Sequence, residues 1–250
     1  MGCAELQAMS ETLRVATYNV HGCVGTDRRR SEARIADVIA SMALDVVGLQ
    51  ELDVNRARSE RIDQAAAIAH QLGCHHVFHP AMRNAREQYG NATISRFPLR
   101  LRRTIELRGE GSWYCRETRI ALCAEIETQL GAVEIVNTHF GLGRAERLVQ
   151  AQHLASELEP NKSLILLGDF NSLPASRPVK LLGQHLNDVR IALREPRLHR
   201  TFPTRLPIVA VDHIFISDSL RALSISAHRT ALSRIASDHF PLVAELALAS

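Results

Sequence analysis

The stretch Leu164-Ile165-Leu166-Leu167-Gly168-Asp169-Phe170-Asn171-Ser172 constrains this chain more than any other. Four consecutive apolar residues, far too few to cross a bilayer, read as a strand buried on both faces. Gly168 then breaks the run and lets the backbone pass close to a neighbour. Asp169 and Asn171 follow two residues apart, which in extended chain turns both side chains to one side. A carboxylate and an amide at the carboxyl end of a buried strand sit where open α/β folds place their ligands. The same two residues also suit a turn, through hydrogen bonds to their own backbone. This stretch alone leaves both readings open.

The rest of the chain repeats the pattern. Residues 13–20 read as a strand ending near Asn19, and residues 45–49 as one ending in Gln50-Glu51. Residues 132–137 lead straight into Thr138-His139, after a hairpin around Leu130-Gly131 that pairs them with residues 120–127. Further strands are expected at residues 75–79, 90–95, 99–107, 208–216, 220–227 and 242–248, the last preceded by Ser237-Asp238-His239-Phe240-Pro241. Helical spacing predicts helices at residues 35–42 (capped by Ser31), 63–72 (ended by Gly73), 144–158 (closed by Pro160) and 178–182. No Gly/Ser/Pro linker or charge block divides the series. Strands and helices interspersed this way predict an α/β fold, with residues 1–11 as a tail and residues 12–250 as one domain.

Composition excludes several classes. With 46% hydrophobic and 23% charged residues among 250, the chain is neither disordered nor collagen-like. No apolar run reaches membrane-span length. Met1-Gly2-Cys3 lacks the Ser or Thr that a myristoylation signal needs where Leu6 stands, and no apolar run follows for a secretory signal. Five cysteines without a C-x-x-C fit a reducing compartment, so the expected location is the cytoplasm and the sequons at Asn91 and Asn161 carry no weight. A net charge of +3 is too small for a protein that coats DNA by charge alone. Only Lys162 and Lys180 among 30 basic residues are lysine, a bias that points to a GC-rich bacterial genome and supplies many planar forks for phosphate.

Asp212 lies in an apolar stretch, where a carboxylate is costly unless paired, and histidine is its natural partner. Together with it, the ordered motifs T-Y-N (17–19), L-Q-E (49–51), N-T-H (137–139), G-D-F-N (168–171), V-D-H-I-F (211–215) and S-D-H-F-P-L (237–242) resemble the endonuclease/exonuclease/phosphatase superfamily, whose fold is that of deoxyribonuclease I. The resemblance implies a four-layer α/β/β/α sandwich. It also implies that Glu51 is the main metal ligand, helped by Asn19 and Asp238. Asp169 and Asn171 would position or deprotonate the attacking water, His139 and His239 would act on the phosphate oxygens and in proton transfer, and Asp212 would orient His239. In deoxyribonuclease-like members a Glu partners the first histidine. Here Asn91, in Gly90-Asn91-Ala92-Thr93-Ile94-Ser95-Arg96, is the nearest counterpart, which implies a less basic His139.

The ligand chemistry agrees independently. Oxygen donors without Cys favour Mg²⁺ or Mn²⁺ over Zn²⁺. Other residues are ambiguous. His70, Cys74, His75, His76 and His79 look metal-rich but fall mostly on a strand whose neighbours face opposite ways. Arg144 suits either a substrate phosphate or an exposed first helical turn. Arg28–Arg30 suit a solvated loop or a substrate rim. Trp113-Tyr114 could stack on a ligand or pack in the core, and Glu117 with Arg119 reads as a structural pair. The expected function is hydrolysis of a phosphodiester or phosphomonoester by a monomer without a membrane span. The substrate is left open among nucleic acid, small esters and lipid head groups, and the alternative class is a non-catalytic phosphate-binding module on the same fold.

Overall fold

The structure, a computed structural model, describes residues 12–84, 86–109, 117–159, 161–195 and 197–249. The expected tail, Cys3, Cys115, Trp113-Tyr114 and the closing Pro160 lie outside these residues. Two six-stranded mixed sheets lie face to face with helices on their outer faces, which is the deoxyribonuclease I-like arrangement.

The first sheet contains β1 (Thr12–Asn19), β2 (Val46–Val54), β3 (His75–Asn84), β4 (Glu87–Ser95), β11 (Leu220–Ala227) and β12 (Leu242–Leu248), in the order β11-β12-β1-β2-β4-β3. The second contains β5 (Leu99–Leu107), β6 (Arg119–Thr128), β7 (Gly131–His139), β8 (Leu164–Asp169), β9 (Asn187–Asp188) and β10 (Asp212–Ile216), in the order β5-β6-β7-β8-β10-β9. Each sheet has one parallel pair near its centre, β1 with β2 and β7 with β8.

Alternation along the strands builds the layers. In β8, Leu164 and Leu166 join the core under α3 (Arg144–Glu157) and α4 (Arg177–Leu182), while Ile165 and Leu167 join the core between the sheets. In β1, Leu13 and Val15 face the other sheet, whereas Ala16 and Tyr18 pack under α1 (Glu32–Ala40) and α2 (Gln64–Leu72). The caps follow the sequence: the Ser31 hydroxyl accepts from Arg34 N–H at 3.1 Å, the Asp63 carboxylate accepts from Ala66 N–H at 2.9 Å, and Gly73 closes α2 at φ +63°.

Three local expectations need correction. The strand expected at residues 208–216 begins only at Asp212, because Val209 bridges back to Phe202 within a loop. α5 (Val189–Ala192) and α6 (Ala231–Ala236) are too short to leave a periodic signature and were missed. The first is held by the buried pair Arg190–Asp188 at 2.7 Å, the second by its Thr230 cap.

Gly168 pairs with Thr138 across the parallel strands, and a Cβ there would collide with the Thr138 carbonyl oxygen. Backbone cannot swing aside as a side chain can. Gly168→Ala is therefore expected to cost roughly 1–3 kcal/mol of stability, as overpacking of a filled core does. Urea unfolding checks this, and an unchanged midpoint would refute the contact.

Candidate active site

Strand register gathers the polar groups at one end of the sandwich. His139 pairs with Asp169, and Asp169 pairs with Asp212, so three side chains stand abreast on β7, β8 and β10. Each shares its alternation with the residues facing the first sheet: Asp169 with Ile165 and Leu167, His139 with Val133 and Ile135, Asp212 with Ile214 and Ile216. Asn19 meets them from the opposite sheet for the same reason, following Leu13 and Val15. Glu51 has the wrong parity for this face. A bulge opposite Asn91, between the pairs Leu49–Ala92 and Leu52–Gly90, and a left-handed φ of +65° at Glu51 itself restore it. A non-glycine residue there carries about 1–3 kcal/mol of strain.

The resulting contacts are close. His239 Nδ1 lies 3.0 Å from Asp212 Oδ2, which also accepts from the Thr201 hydroxyl, while Asp212 Oδ1 is buried without a partner. The Phe202 ring covers His239 at 4.7 Å. Asp169 Oδ2 is 3.7 Å from His239 Nε2 and 3.6 Å from His139 Nε2, and Asp169 Oδ1 accepts from Asn171 N–H at 2.8 Å. The Asn19 amide donates to both Glu51 Oε1 at 2.9 Å and Asp169 Oδ2 at 3.0 Å, while its oxygen accepts from His21 N–H at 3.1 Å. The Asn171 amide donates to Phe140 O at 2.9 Å and sits 3.2 Å from His139 Nε2. Asp238 is tied in through Ser237, whose hydroxyl bonds Asn19 O at 2.8 Å and lies 3.3 Å from Asp238 Oδ1.

Burial and charge set the protonation states. Burial opposes the charge on His239, but Asp212 and then Asp169 outweigh it and lift its pKa to about 10. Burial pushes the Asp169 carboxyl up to about 7, against the pull of the His239 cation. His139 goes the other way: burial, then the Arg119 and His239 cations, hold it well below the usual histidine range. The sheets thus carry one cationic and one neutral histidine on either side of Asp169.

The Asn91 expectation fails here, and the partner of His139 is Arg119. Its Nη1 donates to His139 Nδ1 at 3.3 Å while its Nη2 pairs with Glu117 at 2.8 Å. Donors thus face both ring nitrogens of His139, Arg119 at Nδ1 and the Asn171 amide at Nε2, which disfavours the imidazolium. Asn91 is buried in β4 opposite the bulge, its Nδ2 without a partner. Sequence reasoning also missed a tier beneath the site, where Gln50 Nε2 donates to Asn137 Oδ1 at 2.8 Å and to Thr17 Oγ1 at 3.0 Å, and Asn137 Nδ2 donates to Ala92 O at 2.8 Å. The clue was present in the amides of L-Q-E and N-T-H. Arg144 is exposed on the first turn of α3, in a cavity wall that it shares with Asn171. His75, His76 and His79 lie along the edge strand β3, and among the described residues the three-residue grouping able to hold a metal is Asp169, Asp212 and His239.

A hard cation fits this donor set. Asp212, Asp169, Glu51 and Asp238 oppose a single histidinium in the cluster, and Glu51 and Asp238, 23% and 34% exposed, form its solvent-facing edge. An orphaned carboxylate oxygen on Asp212 and a strained Glu51 are costs that bare folding would not retain.

The chain belongs to the endonuclease/exonuclease/phosphatase family, whose sequence model matches residues 16–239. Members of that family are phosphoesterases and nucleases. Among individual proteins, the chain is 26% identical to the uncharacterized protein YbhP of Escherichia coli over 97% of this chain and 99% of that one. Its fold matches the human Nocturnin catalytic domain with bound sulfate (TM-score 0.74, 21% identity, 96% of this chain and 95% of that one). It also matches a mannosyl-6-phosphatase of Bacteroides thetaiotaomicron (TM-score 0.73, 20% identity, 94% and 99%).

The His239–Asp212 contact has a pH signature. Because the folded pKa is raised from 6.5 to about 10, its stabilisation is full below the unfolded value and is lost as pH rises through about 10. Asp212→Asn removes the charge and keeps the shape, so the His239 midpoint should fall by roughly 1–3 pH units. Histidine-labelled NMR titration reads it directly, and an unmoved midpoint would detach Asp212 from His239.

Proposed function

We propose that the protein is a metal-dependent hydrolase of phosphoric esters, with Mg²⁺ or Mn²⁺ as the ion. The observation that carries this reading is the pairing of a histidinium, held by Asp212, with a carboxyl poised near neutrality, Asp169, in a cluster whose more exposed carboxylates are Glu51 and Asp238. Glu51 and Asp238, with Asn19 orienting Glu51, are the residues to hold the cation. When bound, it polarises the phosphoryl oxygen and offsets charge on the leaving oxygen.

The chain's own groups do the rest. Asp169, with a pKa of about 7, takes the proton of the attacking water, oriented by Asn171 N–H and the Asn19 amide. His239, cationic across the neutral range, donates Nε2–H to a phosphoryl oxygen as negative charge grows there. Neutral His139, in the tautomer protonated on Nε2, donates to a second oxygen without adding a charge that would repel His239. The oxygen of water bonds to phosphorus, the P–O bond to the leaving group breaks, and the departing oxygen is protonated.

The test is a panel of p-nitrophenyl phosphate, bis(p-nitrophenyl) phosphate and supercoiled plasmid, each with Mg²⁺, Mn²⁺ or EDTA. At least one ester is expected to turn over only with metal. Glu51→Ala removes one charged donor from a hard-cation site, so it should weaken Mg²⁺ binding by calorimetry and abolish that turnover. A Glu51→Ala protein that binds Mg²⁺ and turns over like the parent would overturn the metal assignment.

A further inference from the structure

Two cavities adjoin the acid–histidine cluster, and their arginines differ. The one beside Glu51, about 410 Å³, holds Arg30, Arg56 and Arg58. Each is already matched: Arg30 to Glu60 at 2.6 Å, Arg58 to Asp53 at 2.7 Å and Arg56 to Asp53 at 3.4 Å. The other, about 800 Å³, opens beside Asn171 and holds Arg144, Arg147 and Arg177. Among the described residues none of these three has a carboxylate within 4.0 Å, and no carboxylate lines the cavity.

Further polar groups in this second cavity lack partners. Ser172, 3% exposed, has a buried hydroxyl without a hydrogen bond; Arg147 Nε is also buried without one, although Arg147 Nη1 donates to Leu142 O. Between them the wall is aliphatic, formed by Leu148, Leu173 and Pro178. Leu173 is 52% exposed, and Leu142, which precedes α3, is 70% exposed. Among the described residues no aromatic ring lines the cavity.

Unmatched guanidinium groups recruit phosphate or carboxylate oxygens, and an aliphatic wall recruits aliphatic surface. Single-stranded nucleic acid is gripped through aromatic platforms, whereas the described wall of this cavity is aliphatic. We infer that the cavity beside Asn171 binds an amphiphilic substrate, an anionic phosphoester with aliphatic chains, of the glycerophospholipid type. Arg144, Arg147 and Arg177 attract its anionic phosphoester to the Asn171 side of the cluster, and Leu148, Leu173 and Pro178 receive the start of a chain. The inference rests on the phosphoesterase reading and narrows its substrate.

The test separates head group from chain. Binding to the full-length protein is measured by calorimetry for dihexanoyl phosphatidylglycerol below its micellar concentration. Three comparators isolate the sources: glycerol 3-phosphate, dihexanoyl phosphatidylcholine and an eight-residue oligothymidylate. The anionic lipid is expected to bind at least about tenfold more tightly than each comparator, the scale of one charge-assisted hydrogen bond. Arg177→Gln and Leu173→Asp, both at exposed positions and checked for folding by circular dichroism, should each weaken it by about tenfold. Equal binding of glycerol 3-phosphate or of the neutral lipid overturns the inference, as does an oligonucleotide that binds more tightly and responds to Arg177→Gln. Hydrolysis of bis(p-nitrophenyl) phosphate keeps the two readings apart. Hydrolysis without lipid discrimination removes only this inference; lipid discrimination with no ester turned over removes the phosphoesterase reading and leaves a binding site.

Discussion

Side-chain alternation on two facing sheets is the constraint on which the rest of this structure depends. A strand that buries every second residue against the opposite sheet must send the next residue of that parity the same way, even where the apolar run has ended. Asp169, His139, Asp212 and Asn19 each continue such a series by one or two steps, so the sandwich delivers them into one volume. A register shift of one residue in any of these strands would turn its polar group toward the helices. Glu51, the exception in parity, arrives only through a bulge and a left-handed backbone.

Concentrating carboxylates this way is unfavourable, and the neighbours show how it is tolerated. Asp212 is matched on one oxygen by both the Thr201 hydroxyl and the His239 ring. Asp169 is matched by one backbone N–H and one amide, which compensates its burial only in part and leaves its carboxyl easy to protonate. The two histidines differ because their second nitrogens meet opposite charges, an aspartate for His239 and an arginine for His139. The same ring thereby becomes a cation in one place and a neutral donor in the other.

Beneath the cluster, Gln50 and Asn137 bridge the sheets through side-chain amides where apolar contact would otherwise continue. Asn137 donates to the carbonyls of Leu49 and Ala92, the cross-strand pair that borders the bulge. This tier ties the position of Glu51 to β7 and hence to His139.

The sequence by itself determined the order of strands and helices, the caps at Ser31, Asp63 and Gly73, and the polar ends of the strands, because period-two and helical spacing are written in consecutive residues. It also determined that Asp212 needs a partner, a histidine being the natural one, since a carboxylate in apolar surroundings is costly wherever the chain takes it; the family resemblance singled out His239. Only the tertiary structure decided that Arg119 rather than Asn91 partners His139, that Arg30, Arg56 and Arg58 are matched, and that Arg144, Arg147 and Arg177 are not. Those outcomes depend on register and on loops packed between segments far apart in the chain. Local spacing holds no information about which charge a neighbouring strand will bring.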